Sequence, residues 1–197
     1  MGVDLSRTSH VIFFAGVIPA LSLVLAWLFS QLIPTPPFWL ETLSPLLAYA
    51  FIYTLFEKYL WTWKIFRILG ITVFPDLRGR WCGKQQSTYN NTITEACLEI
   101  KQTFSNVSVC AHYQKSNSGS VVANFVEING DKWLFYTYDS EPGSLKQGTM
   151  QMHKGTAKIK YVPSDKKLIG FYFNSIGNQG DMDFNFDGHK LLGRFAK

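Results

Sequence analysis

Tyrosine and amide side chains recur at alternate positions in short apolar segments of the second half of the chain. The residues in this pattern are Tyr113, Tyr136, Tyr138, Tyr161, Tyr172 and Asn174. Alternate residues of a β-strand share one face, so several of these groups could line one cavity. Phenol rings stack on flat ligands and their hydroxyls form hydrogen bonds, which favours a polar aromatic ligand over an aliphatic tail. The alternative is that these tyrosines lie on the outer wall of a sheet.

Two lysines could supply positive charge to the same ligand. Lys158 and Lys160 are two residues apart in one apolar segment, and therefore share a strand face. Lysine ammonium groups bind phosphates as point charges, so the pair is a candidate anion contact. A solvated outer face is the alternative interpretation.

The segment Asp183 to Gly188 resembles the first half of a calcium loop, D-x-N-x-D-G, but the twelfth position holds Arg194 instead of a carboxylate. We interpret this segment as a half-exposed strand that ends in an Asp-Gly hairpin. The histidines lack metal-ligand spacing and are expected at the surface; they are His10, His112, His153 and His189. The chain offers no catalytic motif or adjacent carboxylate pair, so we expect no metal, no cofactor and no enzymatic activity.

These candidate residues require a sheet to position them. From Gly79 onward, eight to ten short segments rich in β-branched and aromatic residues alternate with turn residues such as Asn117 with Gly119. The predicted strands cover residues 77–83, 96–104, 107–114, 121–128, 132–138, 157–162, 168–175, 182–186 and 191–195. Short connections favour antiparallel pairing of neighbours, and a small up-and-down β-barrel removes the sheet edges. A β-sandwich is the competing fold.

The first predicted strand carries Gly79 and Trp81 in a G-x-W pattern that resembles the opening of lipocalin and fatty-acid-binding barrels. In those folds a cation from the last strand lies over the tryptophan, and the resemblance gives this role to Arg194. A guanidinium over an indole contributes about 0.5 to 2 kcal/mol. Gly79, Trp81 and Arg194 are therefore expected to close the barrel floor and not to contact a ligand.

Residues 1–75 are predicted to form a transmembrane helical hairpin with an interfacial exit segment, and residues 76–197 the barrel. The first span, residues 11–33, contains no charge and is long enough to cross a bilayer, which takes about 20 residues. The second span, residues 38–56, carries only Glu41 and is followed by an aromatic belt of Tyr59, Trp61 and Trp63. Two buried core helices, or a signal peptide for the first span, are the alternatives.

Charge distribution indicates the orientation of the hairpin. Residues 34–42 lack lysine and arginine, whereas cations follow the second span from Lys58 onward, so both ends of the hairpin are expected in the cytosol. The formal charge of +5 suits an anionic ligand or an anionic leaflet. The cysteines Cys82, Cys97 and Cys110 show no paired spacing, so we expect three thiols and no disulfide in a reducing cytosol.

The chain resembles the two-transmembrane β-barrel effectors of bacterial CBASS anti-phage defence, the CD-NTase-associated protein fifteen family. The resemblance rests on the order of two spans and a barrel, the proline-rich link, the tryptophan-rich exit over residues 59–64, and the barrel opening over residues 76–83. It implies that a cyclic-oligonucleotide synthase makes a cyclic dinucleotide that the barrel binds. Binding would drive self-association of the hairpins in the bacterial inner membrane, disrupt that membrane and cause abortive infection. No DNA or RNA partner is expected.

Under this resemblance, two bases and two phosphates require aromatic rings and cations. The candidate ligand residues are Tyr113, Tyr136, Tyr138, Lys158, Lys160 and Tyr172. The alternative function is a membrane-tethered, lipocalin-like carrier of a lipid or another hydrophobic ligand. An enzyme ranks third, because the sequence offers no catalytic grouping.

Overall fold

The structure is a computed structural model that describes residues 10–32, 38–142 and 153–195. Contacts divide the chain into two compact units. The first unit contains the described residues up to Val73 together with Thr103–Ser105, and the second contains Phe74–Gln102 and the described residues from Asn106 onward.

The first unit is helical. Helix α1, His10–Leu32, is the one helix within the described ranges that is long and apolar enough to cross a membrane. It contains a π-helical turn at Phe13–Val17 and continues as a regular α-helix over Ile18–Leu32. Large apolar side chains such as Leu23 and Trp27 are exposed on it, which is what lipid contact requires and a soluble core helix avoids. The predicted end of the span at residue 33 lies outside the described residues, as do residues 34–37.

Helix α2, Phe38–Lys58, covers the second predicted span and contains Pro45. It contacts α1, and it is followed by a 3₁₀ turn at Leu60–Thr62 and by a short helix α3 at Lys64–Ile68. The pairing of the two helices is therefore shown, whereas a second membrane crossing by α2 stays a prediction.

An aromatic cluster holds the helical unit together. The ring of Phe56 lies 4.8 Å from that of Phe13 and 5.0 Å from that of Phe66, and Phe56 and Trp61 are buried. Such ring pairs stabilise a fold by about 0.5 to 1.5 kcal/mol each beyond the burial of apolar area. Within the same unit, the carboxylate of Glu57 accepts hydrogen bonds from the Thr103 hydroxyl and from the Ser105 amide and hydroxyl. The unit thus combines apolar packing with three hydrogen bonds to Oε1 of Glu57.

The second unit is a closed barrel of eight antiparallel strands, each paired with its sequence neighbour and β1 paired with β8. The strands are β1 Gly79–Ser87, β2 Ile93–Gln102, β3 Val107–Tyr113, β4 Ser116–Ile128, β5 Asp131–Pro142, β6 His153–Val162, β7 Lys167–Asn174 and β8 Gln179–Gly188. The predicted up-and-down barrel is therefore confirmed. Its interior holds one continuous apolar cluster that includes Leu98, Leu134, Ile159 and Phe184.

Glycines inside the strands let neighbouring backbones approach closely as the sheet curls. A Cβ built on Gly170 of β7 would lie 2.0 Å from the Lys158 carbonyl oxygen of β6, and one on Gly83 of β1 would lie 2.0 Å from the Asp183 carbonyl oxygen of β8. A side chain at either position would push the paired strands apart.

Replacing Gly170 by alanine is therefore expected to lower the free energy of unfolding by about 1 to 3 kcal/mol, because the new methyl group meets rigid backbone. Gly119 in β4 is the matched control, since a Cβ there has open space. Gly119→Ala should change stability by less than about 0.5 kcal/mol. Denaturant unfolding of both variants measures the difference, and equal stabilities would contradict the close approach of β6 and β7.

Three details of the predicted sheet were wrong. Asn117 and Gly119 do not form a turn, because both lie inside β4 and pair with β5. The chain does not turn into a hairpin after Asp187 and Gly188, and residues 191–195 are not a strand, because β8 pairs with β1 and completes the barrel at Gly188. The segment after Gly188 is held by side chains of the outer wall, as described below.

The prediction of three free thiols was also wrong. Cys82 and Cys97 occupy directly opposed positions in β1 and β2, with Cα atoms 4.1 Å apart, and form a disulfide. Cys110 in β3 is free and exposed. The opposition of the two cysteines follows from the strand register, which their spacing in the sequence does not reveal.

Candidate functional site

The barrel interior has two chemically different ends. At the end where β1 begins, Leu77, Trp81, Leu168 and Phe184 are buried against one another. At the other end, inward positions of β3, β5 and β7 carry tyrosines: Tyr113, Tyr136, Tyr138 and Tyr172. Four of the six predicted ligand residues are therefore brought together inside the barrel. We call these four residues the tyrosine cluster.

The tyrosine cluster has a buried inner layer and a half-buried rim. Tyr136 and Tyr172 are buried and form the inner layer of the cluster. Tyr113 and Tyr138 are half-buried and form its rim. The ring centroids of Tyr136 and Tyr138 are 6.1 Å apart, and the Tyr113 hydroxyl donates a 2.7 Å hydrogen bond to Oε1 of Gln85. Aromatic faces and hydroxyls thus converge at one end of the barrel, as recognition of a flat polar ligand requires.

Two glycines make room for the rings. A Cβ built on Gly155 would lie 2.3 Å from the Tyr138 ring, and one on Gly180 would lie 2.9 Å from Cε1 of Tyr172. Neither glycine was among the sequence-based candidates. An isolated glycine inside a strand pattern was the signal that could have identified Gly155, whereas Gly180 follows Gly177 in a polar run that resembles a turn.

Three phenols of the cluster, those of Tyr113, Tyr136 and Tyr138, stay neutral at physiological pH. Burial raises the pKa of Tyr113, Tyr136 and Tyr138 well above the ordinary value of 10.0. Neighbouring phenols raise these pKa values further, because a phenolate would be repelled by a second one. Each hydroxyl therefore keeps its proton and can donate a hydrogen bond to an anionic oxygen.

Stability of the barrel is expected to fall as the pH rises above about 10, because the unfolded chain then releases phenolic protons that the folded chain retains. Below that pH both states hold these protons and the stabilisation is fully present. Each buried phenol lowers the unfolding free energy by up to about 1.4 kcal/mol per pH unit in this range. Denaturant unfolding at several alkaline pH values measures the slope. Tyr136→Phe should make it shallower, and an unchanged slope would contradict this assignment.

Lys158 and Lys160 do not join the tyrosine cluster. They alternate in β6 with the buried Ala157 and Ile159, and so lie on the outer wall. Nζ of Lys158 lies 4.1 Å from the ring centroid of Trp133, and Nζ of Lys160 is 2.6 Å from a carboxylate oxygen of Asp131. The structure thus separates the two lysines from the four tyrosines.

Three residues were predicted to close the barrel floor, and two of them, Gly79 and Trp81, lie at the apolar end of the barrel. Gly79 adopts a φ of +130° and approaches the Gly188 carbonyl so closely that a Cβ would lie 2.6 Å from its oxygen. The ring of Trp81 meets Phe186 and Tyr161 edge to face, with centroids 4.9 and 5.8 Å away. Arg194 lies exposed in the segment after β8, where its carbonyl oxygen accepts a hydrogen bond from Arg80.

A buried charge network on the outer wall was missed by the sequence analysis. Arg80 is 1% exposed, and its Nη1 donates to Oε1 of Glu99 at 2.9 Å and to the carbonyl oxygen of Arg194. The Glu99 carboxylate also accepts the amide N–H groups of Leu192 and Gly193. Burial raises the pKa of Glu99, but the hydrogen bonds from Leu192, Arg80 and Gly193 outweigh it and hold the pKa below its usual value. The network fixes the segment after β8.

His112, expected at the surface, is buried beside this network. Its Nε2 lies 3.5 Å from Oε2 of Glu99, and its Nδ1 lies 3.0 Å from Oδ1 of Asn117. The surface prediction was wrong because the segment after β8 covers this part of the outer wall. Within the described ranges, no group of three or more metal-ligating side chains is brought together.

Comparisons with known proteins agree with this architecture. A family model described as Cap15, cyclic dinucleotide receptor domain, matches residues 72–185. The chain is 26% identical over 146 residues to the CD-NTase-associated protein 15 of Staphylococcus schleiferi, covering 73% of this chain and 78% of that protein. It is also 26% identical over 126 residues to the CD-NTase-associated protein 15 of Escherichia albertii, covering 61% and 62% of the two chains.

Proposed function

Because the chain belongs to the Cap15 family of cyclic dinucleotide receptor domains, we propose that its barrel binds a cyclic dinucleotide at the tyrosine cluster. The observation that carries this proposal is the convergence of four interior tyrosines at one end of a closed barrel, where burial raises the pKa of Tyr113, Tyr136 and Tyr138. The opposite end is packed with apolar side chains, so the ligand enters at the tyrosine end.

The chemistry of the cluster suits the ligand class. A cyclic dinucleotide presents two flat bases and two phosphates, and each base gains about 1 to 3 kcal/mol by stacking on an aromatic ring. The rim residues Tyr113 and Tyr138 offer such rings, and neutral phenols donate hydrogen bonds to phosphate oxygens. Because Lys158 and Lys160 lie on the outer wall, we infer that hydroxyl and amide donors, including Gln85, replace lysine at the phosphates.

The family match and the apolar helix α1 support a proposal about the wider role. In this role the protein is a non-enzymatic CBASS effector, anchored in the bacterial inner membrane by α1 and α2 with its barrel in the cytosol, where the Cys82–Cys97 disulfide is an exception to the usual reduced state of thiols. A synthase partner supplies the cyclic dinucleotide, which favours self-association of the chains, disrupts the membrane and causes abortive infection. A ligand can shift this equilibrium only by binding the assembled state more tightly than the separate one.

The direct test is calorimetric titration of the full chain in detergent micelles. The titrants are a panel of cyclic dinucleotides, the matching linear dinucleotides, and fatty acids with phospholipids. Saturable binding of one cyclic dinucleotide, with at least about tenfold weaker binding of its linear form, supports the proposal. Binding of lipids alone would overturn it in favour of the carrier function.

The effector role has its own test. Full chain reconstituted into dye-loaded vesicles should release dye when the binding cyclic dinucleotide is added, and should retain dye with the linear form. Equal release with and without the nucleotide would contradict ligand control, even where calorimetry shows binding.

A further inference from the structure

The outer wall at β7 presents an exposed apolar row. Ile169, Phe171 and Phe173 point outward along this strand and are 40%, 44% and 52% exposed. They alternate with the buried Leu168 and Tyr172, so their exposure belongs to a regular strand and not to a loop. A row of large apolar side chains on a sheet surface marks an interaction face.

The strands on either side of this row carry opposite charges at positions that pair with the same β7 residue. Phe171 pairs with Lys158 of β6 on one side and with Asp181 of β8 on the other. Two residues away in β7, Ile169 pairs with Lys160 of β6 and with Asp183 of β8. A cationic edge, an apolar centre and an anionic edge thus run side by side on strands β6, β7 and β8.

This arrangement is self-complementary. If a second copy is rotated by half a turn about an axis along β7, the apolar row meets itself and β6 of each copy faces β8 of the other. The rotation keeps each residue at the same position along the axis. Lys158 therefore meets the partner's Asp181, and Lys160 meets the partner's Asp183. Two-fold pairs of this kind bring the same patch of both subunits together.

We infer that the outer wall of β6, β7 and β8 is a two-fold pairing face for a second copy of this chain. Lys160 and Asp183 already pair with Asp131 and Lys167, so Lys158 and Asp181 carry most of the intermolecular attraction. An anionic bilayer suits the face less well, because Asp181 and Asp183 are exposed and would be repelled by it. This face is a surface for the self-association proposed above; it lies on the outer wall, apart from the tyrosine cluster, so its failure would leave the proposed ligand site untouched.

Strand curvature limits the size of this interface. An eight-stranded barrel turns by about 45° from one strand to the next, so three strands of each copy can touch. The pair is therefore weak in dilute solution. Tethering two chains to one micelle or membrane raises their effective concentration and makes such a pair observable.

The first test is site-specific crosslinking of the full chain in detergent, without nucleotide. Phe171→Cys in a Cys110→Ser background places a thiol next to the two-fold axis, whereas Ile93→Cys in the same background places one on β2, outside the face. Ile93 is 63% exposed and Phe171 is 44% exposed, so the control thiol is at least as accessible to the oxidant. Mild oxidation should crosslink the first variant to itself at least about tenfold faster than the second. Equal rates would overturn the proposed face.

The second test exchanges charges in the Phe171→Cys, Cys110→Ser background. Lys158→Asp and Asp181→Lys each set like charges opposite one another and should reduce crosslinking about tenfold. An equimolar mixture of the two variants restores opposite charges across a mixed pair and should recover the rate. Asp165→Lys and Lys190→Asp make the same charge changes at exposed positions outside the face and should leave the rate unchanged.

A mixture that crosslinks no faster than either variant alone would overturn the pairing. If, in addition, Asp181→Lys increases binding of the full chain's micelles to anionic vesicles, the face belongs to a bilayer surface instead. Circular dichroism melts of each variant serve as the folding control, and recovery in the mixture can occur only if both variants are folded.

Discussion

Replacing Arg80 by methionine is expected to lower the free energy of unfolding by about 3 to 5 kcal/mol, one of the largest effects of a single substitution in this barrel. The change leaves the Glu99 carboxylate buried on the outer wall without its cation. It also removes the donor that bonds to the Arg194 carbonyl oxygen. Denaturant unfolding, followed by circular dichroism, measures the loss.

Arg78 provides the matched control for Arg80. It pairs with Asp76 at 2.7 Å, but its side chain is 36% exposed. Water replaces the lost partner there, so Arg78→Met should cost at most about 1 kcal/mol. Equal losses at the two positions would show that Arg80 gains nothing from its buried partners.

A double variant separates the unpaired charge from lost packing. Arg80→Met combined with Glu99→Leu removes both charges, and should be more stable than Arg80→Met alone because no carboxylate remains buried without a partner. If the double variant is as unstable as the single one, the loss arises from packing.

The second large effect concerns the ligand. Replacing Tyr138 by leucine is expected to weaken binding of the cyclic dinucleotide about 10- to 100-fold, because the variant loses one stacking face and one hydroxyl donor at the rim of the tyrosine cluster. Leucine retains an apolar side chain above Gly155, so the barrel should stay folded. Calorimetric titration of the full chain measures the change.

Tyr161→Leu is the control for Tyr138→Leu. Tyr161 also packs against the barrel core, but it meets Trp81 at the apolar end. The Tyr161→Leu substitution should lower the free energy of unfolding but leave the affinity for the cyclic dinucleotide within about twofold of that of the unchanged protein. Tyr138→Phe separates the ring from the hydroxyl, since it keeps the stacking face. Equal affinities for the Tyr138→Leu and Tyr161→Leu variants would place the ligand away from the tyrosine cluster.

The barrel could be predicted from the sequence because each strand and the turn that follows it are indicated by residues that lie close together in the chain. Strands β6, β7 and β8 are joined by short connections, and each strand of the barrel pairs with its neighbour in the sequence. The alternation of β5 assigned Tyr136 and Tyr138 to the face that the structure places inside. The family resemblance was confirmed by the match over residues 72–185.

What the sequence could not provide depends on contacts between distant segments. Alternation put Lys158 and Lys160 on one face but did not say which face was inside. The Cys82–Cys97 disulfide requires the register of β1 against β2. The burial of Arg80 and His112 requires knowledge that the segment after β8 lies over the outer wall, which depends on backbone amides of Leu192 and Gly193 and not on side-chain pattern.

The two unlike ends of the barrel have a kinetic consequence. If the cyclic dinucleotide binds at the tyrosine cluster, as proposed, it leaves by the end at which it entered, because Trp81, Leu168 and Phe184 fill the other end. The lifetime of the signal inside the receptor is then set by how fast the Tyr113 and Tyr138 rings move aside. Substitutions at the rim would therefore alter how long one molecule of messenger keeps the receptor switched on, whereas substitutions at the filled end would alter only how many receptors are folded.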